Sequence, residues 1–316
     1  MEILGQLLNT TLVFSTALIF AALGGIFSER SGVVNIGLEG LMMFGAFAAA
    51  VGGYYAQEAG MGEWAPWVGV LSAMGVGVIG SLIHAVASIT FKADQTISGT
   101  VINFLAAGST LYMVKLIFEG SGETPLIDGF SKVAIPGLSK IPVIGEGIFN
   151  SYPTTYLAII LVIVIYFILF KTPFGLRLRA VGEHPSAADT LGVNVNKMRY
   201  IGVMLSGLLA GIGGATITLT TTGTFAHNTI SGQGFIAIAA MIFGKWNPLG
   251  AFGAAVFFGL SQAIRNYVQL FEWSKSIPQE FIFMIPYVLT IIVLVSAVGR
   301  SSAPKALGEP YDPSKR

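Results

Sequence analysis

Hydrophobic residues run along this chain in long, nearly charge-free blocks, without strict alternation. The blocks fall at residues 9–27, 33–54, 66–91, 97–118, 154–170, 200–222, 233–244, 249–270 and 278–298. A helix needs roughly 20 apolar residues to cross a hydrocarbon core of about 30 Å, so the pattern predicts about nine transmembrane helices. A membrane β-barrel would show alternating segments of about ten residues instead. The first block does not read as a cleaved signal segment: residues 1–8 carry only Glu2, and no A-x-A site follows. The expected fold class is an all-α polytopic membrane protein, with residues 1–300 as one transmembrane domain and 301–316 as a tail.

Two stretches interrupt the pattern. Residues 28–40, SERSGVVNIGLEG, place charges and small residues beside the start of the second block. Residues 233–244 make a helix of about 18 Å at 1.5 Å per residue, too short to cross by itself, and follow the polar loop GTFAHNTISG. Irregular backbone at membrane depth survives only where it is buried in protein or lines a cavity. One span, 154–170, separates the first four spans from the last four, so the two halves run in opposite senses. Broken helices at corresponding places in inverted halves point to a central transport site. An inverted repeat of spans one to four against six to nine is therefore expected.

Composition agrees with a membrane setting. Hydrophobic residues make up 53% and charged residues 10%, against about 25% charged in a soluble domain. The net charge of +1 gives no basic footprint for nucleic acid. With no cysteine there is no disulfide framework or thiolate metal site. Basic residues set the orientation. If the loop 171–199 is cytoplasmic, 12 of the 17 Lys and Arg residues lie inside, while the stretch 55–65 carries Glu58 and Glu63 and no basic residue. This predicts an outside N-terminus, a cytoplasmic C-terminus and an extracytoplasmic loop 119–153.

Most of the 40 glycines have a packing explanation, since small residues at i, i+4 let membrane helices approach closely. Ala73, Gly77, Ser81 and Ala85 form one such row; Gly207, Gly211 and Ala215 form another; Ala251, Ala255 and Gly259 form a third. Glu39 is the most informative intramembrane charge, because a carboxylate there costs on the order of 3 kcal/mol unless it meets water, a partner or a cavity. A helix beginning near Val33 would place Asn35 on the same face one turn earlier. The pair is either a polar stripe in a solute pathway or a cap on freed amides at a break. Asn103, Asn228 and Gln233 are further pathway candidates. His84 has no second ligand at metal spacing and reads as a buried, hydrogen-bonded side chain. No metal site or bound cofactor is expected.

The loop 171–199 reads KTPFGLRLRAVGEHPSAADTLGVNVNKMR. Pro185 suits the first turn of a short helix and Gly192 its stop, with Ala187, Ala188 and Leu191 along one side. A short helix on the cytoplasmic surface is how a soluble motor could grip a membrane subunit.

Four ordered motifs carry a resemblance over roughly residues 10–298: SGVVNIGLEG, RAVGEHPSAADTLGVNVNK, LSGLLAGIGGA and GFIAIAAMIFGKWNPLGAFGAAVFFG. Together they resemble the permease subunits of ABC importers of the ribose/branched-chain amino acid group, most closely the nucleoside permeases. The resemblance implies that the central loop is a coupling helix docking on a cytoplasmic ATPase, with Gly182, Glu183, Ala187, Ala188 and Gly192 in that role. Ser186 stands where the general importer loop has Glu. Ribose permeases resemble SGIDLSVG at the first break, with Asp where this chain has Asn35, and branched-chain amino acid permeases lack NIGLEG; nucleosides are favoured.

The resemblance also implies three partners: an ABC ATPase, a second permease and an extracytoplasmic solute-binding protein. No G-x-x-x-x-G-K-[ST] pattern occurs, so ATP would be used by the partner. A sugar or branched-chain amino acid permease is the near alternative. An ion-coupled secondary transporter is a more distant one, because Glu39 with His84 is its only candidate ion site. An intramembrane enzyme would need a nucleophile–base or metal constellation that the sequence lacks.

Overall fold

The structure, a computed structural model, describes residues 2–269 and 303–312 with isolated positions between Phe271 and Ile291. Eleven α-helices lie among the described residues: α1 (Glu2–Arg30), α2 (Leu38–Glu58), α3 (Ala65–Ala85), α4 (Gln95–Ile117), α5 (Ile144–Ile148), α6 (Pro153–Lys171), α7 (Pro173–Glu183), α8 (Pro185–Thr190), α9 (Val195–Ile217), α10 (Gln233–Phe243) and α11 (Pro248–Val268). The first eight predicted spans each coincide with a helix. The ninth, 278–298, falls largely outside the described residues. The helices α1, α3, α4, α6 and α9, with their flanking turns, are long and apolar enough to cross a bilayer.

Burial separates these helices into two classes. The most apolar windows of α1 and α9 are 78% and 72% buried, against 39%, 22% and 33% for α3, α4 and α6. A helix hydrophobic all round is buried in protein or in lipid; α1 and α9 take the first solution and the peripheral three the second. Leu71, Ile79, Phe104, Ile163 and Phe167 accordingly point outward.

The small-residue rows interlock. Along the antiparallel pair α3 and α9, a Cβ at Gly77 would overlap the Gly207 carbonyl, one at Gly207 the Gly77 carbonyl, and one at Gly211 the Ala73 carbonyl. The other side of α9 meets α2, where a Cβ at Gly214 would overlap the Met42 carbonyl. Gly259 on α11 packs against Thr11 and Ser15 of α1. The three rows are packing surfaces, and α9 is flanked on two sides by backbone. The threonines of its last turns bond back along the helix, Thr216 Oγ1 to the Ile212 carbonyl at 2.9 Å and Thr220 Oγ1 to that of Thr216 at 2.6 Å, as Ser and Thr do in membrane helices.

Two ends are distinguished by hydrogen bonding. At one, the Arg30 Nε donates to the Trp246 carbonyl at 3.1 Å, the Gly308 amide to the Gly32 carbonyl and the Ala306 amide to the Gly182 carbonyl, while Lys92 pairs with Asp312 at 3.2 Å. These are the segments that the charge pattern groups together. At the other end, the Asp128 amide reaches Gln57 Oε1 at 3.0 Å, the Thr124 amide reaches the Phe225 carbonyl, and Asn9 Nδ2 reaches the Asn150 carbonyl at 2.8 Å. The loop 119–153 thus covers the ends of α1, α2 and α9. It carries α5 and a small antiparallel pair, β1 (Val133–Ala134) with β2 (Asn150–Ser151).

Three sequence expectations are corrected. The second span begins at Leu38, since residues 31–37 form no helix, so Asn35 precedes α2 and shares no helical face with Glu39. Glu39 consequently lies in the first turn of α2 and not beyond the first turn of a helix beginning near Val33. The stretch 171–199 holds two helices where one was expected. Thr172 caps α7 by accepting the Gly175 amide, Pro173 occupies its first turn, and Leu178 and Val181 supply a buried face.

Candidate functional site

The two breaks open from opposite ends and meet. The first leaves α1 at Arg30, turns through Gly32 at φ +90, and enters α2 at Leu38. The second leaves α9 after a π-helical turn at Thr218–Thr222 and passes Gly223 at φ +69 and Gly232 at φ +87. It then enters α10, which at 11 residues is about 16 Å long. Glycine is the residue that takes such left-handed turns without a Cβ penalty.

Glu39 joins the breaks. Its Oε1 accepts the Gly232 amide and its Oε2 the Gly234 amide, both at 2.7 Å. A helix N-terminus presents unpaired amides and partial positive charge. The carboxylate sits in the first turn of α2 and caps α10, so two N-termini converge on one negative charge. Of the two readings of Glu39 in the sequence, the cap on freed amides is the geometry observed. No side chain could replace Gly234 without striking the Glu39 backbone.

Asn103 clamps the other side of the α2 start. Its Oδ1 accepts the Gly40 amide at 2.7 Å and its Nδ2 donates to the Ile36 carbonyl at 3.1 Å. Asn35, buried, donates from Nδ2 to Ser206 Oγ at 2.9 Å and accepts the Gly37 amide at 3.1 Å. Gln233 forms an amide pair with the buried Gln262 of α11, Nε2 to Oε1 at 3.2 Å. Asn35, Glu39, Asn103 and Gln233 therefore gather around one junction. Asn228 stands apart, exposed on the loop before α10, with its carbonyl accepting the Ser231 hydroxyl. His84 is fully buried, with Nε2 at 3.0 Å from the Val34 carbonyl and Nδ1 at 2.9 Å from Ser98 Oγ. No cluster of metal-ligating side chains occurs among the described residues.

The second candidate region lies at the end that holds Arg30 and Trp246. Gly182, in the last turn of α7, lies under the Arg30 backbone, where a Cβ would strike the Arg30 carbonyl, and its own carbonyl accepts the Ala306 amide. Glu183 accepts the Lys305 amide at 3.4 Å. On α8, Ala188 is buried while Ala187 faces solvent, so the expected row of Ala187, Ala188 and Leu191 is divided. Leu191 is 84% exposed. Gly192 follows at φ +81, with nothing within 4 Å of where a Cβ would lie.

Sequence reasoning missed Ser206, Gln262 and the tail residues that bond α7 and α8. Gln262 carried a signal, as an amide in an otherwise apolar span. Ser206 did not stand out beside the small-residue row that hides it.

A helical bundle whose two breaks meet inside it, with a small-residue surface helix at one end, has the architecture of a transport permease. The family described as branched-chain amino acid transport system / permease component matches residues 7–294, and the chain belongs to it. The guanosine ABC transporter permease protein NupQ of Bacillus subtilis (strain 168) is 54% identical over 100% of this chain and 99% of its own length. The nucleoside ABC transporter permease protein NupC of Lactococcus lactis subsp. cremoris is 46% identical over 96% of each chain. A second guanosine ABC transporter permease protein of B. subtilis, NupP, is 27% identical over 77% of this chain and 69% of its own.

Proposed function

We propose that the chain is the membrane-spanning permease subunit of an ATP-driven importer of nucleosides. The observation that carries this reading is the end-to-end identity of 54% with a guanosine permease. The chain supplies the translocation pathway and no ATP site. A cytoplasmic ABC ATPase docks on the exposed side of α8 and on Leu191 and Gly192, and an extracytoplasmic solute-binding protein delivers solute at the end covered by 119–153. A second permease completes the pathway; that two guanosine permease proteins of one organism resemble this chain to such different degrees supports an unlike partner. The chain lies in the bacterial plasma membrane with its N-terminus outside and C-terminus inside, the basic residues supporting that sense.

In this mechanism ATP binding and hydrolysis bias the bundle between inward-open and outward-open states through contacts that differ between them. The junction of Asn35, Glu39, Asn103 and Gln233 is where the two halves must move against each other, and Asn228 lies on the solute side of it. Uptake of labelled guanosine, adenosine, uridine, ribose and leucine, compared in cells with and without the chain, tests the reading. Loss of nucleoside uptake only is expected. Loss of ribose or leucine uptake with nucleosides unaffected would overturn the substrate assignment.

A further inference from the structure

We infer that residues 304–312 form a coupling strap that ties α8 to the first break and carries movement of the docking surface into the junction at Glu39. The inference rests on reading α8 as the ATPase docking surface.

A helix of six residues cannot hold its own geometry, so what fixes α8 to the bundle decides what its movement does. The tail bonds it directly through the Tyr311 hydroxyl, which donates to Asp189 Oδ2 at 2.7 Å, and bonds the end of α7 just before it through the Lys305 amide, which donates to Glu183 Oε2 at 3.4 Å. The same nine residues bond the bundle at four more places. The Ala306 amide donates to the Gly182 carbonyl and the Gly308 amide to the Gly32 carbonyl. Asp312 pairs with Lys92 between α3 and α4. Arg199 of α9 donates from Nη1 to the Glu309 carbonyl at 2.8 Å.

Arg199 shows that the tail is built in. Its side chain is only 1% exposed, and Nε and Nη2 find no acceptor among the described residues. A buried guanidinium costs free energy unless it is hydrogen-bonded, and the acceptor it has is tail backbone. Ala306 and Tyr311 are buried as well. Gly32, held by Gly308, opens the first break. Three residues on, Asn35 bonds Ser206 of α9, and four further, Glu39 holds the start of α10. The chain from Asp189 to Gly232 is thus bonded throughout.

The test uses the assembled complex of this chain with its ATPase and second permease in proteoliposomes, guanosine as probe, and guanosine taken up per ATP hydrolysed as readout. The double variant Tyr311→Phe/Asp312→Asn removes two side-chain tethers and leaves the backbone bonds and Arg199 in place. The ATPase should stay bound and hydrolysing, while the transport ratio falls about fivefold or more, the lower range of a coupling free energy. An unchanged ratio overturns the strap, as does loss of the ATPase from the double variant, which would make the tail part of docking. Leu191→Glu is the control: a variant that keeps both ATPase and uptake overturns the docking reading and the strap with it. A control that sheds its ATPase, beside an unchanged ratio in the double variant, overturns the strap alone.

Discussion

The junction at Glu39 and the surface of α8 are both unusual in a membrane bundle, and they are built in opposite ways. At the junction, the side chains of Asn35, Glu39 and Asn103 are spent on backbone amides, a carbonyl or a hydroxyl of the protein itself. On α8 the outward residues are small, Leu191 projects into solvent, and Gly192 has open space around it. Polar groups in hydrocarbon must find internal partners, so the junction is closed upon itself and its geometry is exact to a hydrogen bond. An exposed apolar side chain at a watery end has no such partner, and it gains by meeting another protein. One region holds two helix ends in register; the other leaves its side chains open to solvent.

The comparison can be broken most forcefully beneath the junction. Gly214→Val would drive a side chain into the Met42 carbonyl, where two helix backbones touch and neither can yield. A loss of about 3 kcal/mol or more is expected, read as failure to accumulate folded protein or a large drop in melting temperature in detergent. Next comes Glu39→Gln, which turns a donor toward one of the two capped amides and removes the charge shared by two N-termini. A loss of about 2 kcal/mol is expected, together with reduced guanosine uptake. An unaltered melting temperature would show that the cap contributes nothing.

The docking side should respond in the opposite sense. Leu191→Glu should leave stability within about 0.5 kcal/mol while the ATPase no longer co-purifies. Gly192→Ala should cost about 1 kcal/mol, because its φ of +81 disfavours any Cβ, and less of the ATPase should co-purify with this variant than with the unaltered chain. The smallest effect is expected at Asn228→Ala. Its carbonyl, which bonds Ser231, is kept, so folding should be unaffected, and any change should appear in the concentration dependence of uptake.

Much of this organisation was legible in the chain. Uncharged blocks mark helices because lipid tolerates no unpaired backbone, a local requirement that each segment meets by itself. The glycine and alanine rows announced close packing, and α3 against α9 realises it. Residues 31–37 misled for a physical reason: Val33, Val34 and Ile36 are apolar enough to extend a span, yet Asn35 bonds the Gly37 amide and competes with helix, as short polar side chains do. The amphipathic α7 was hidden because Arg177 and Arg179 made its stretch read as a charged loop.

The sequence by itself determined the apolar character of this protein, the position of its first eight helical blocks to within a few residues and the two breaks, all properties of short windows of chain. Tertiary structure decided who meets whom. Glu39 and the amide it caps lie 193 residues apart, Asn35 and Ser206 lie 171 apart, and Arg199 reaches a tail carbonyl 110 residues on. A buried polar group must be paired, but nothing in its own window says with what; the partner is fixed only when the helices between them have packed.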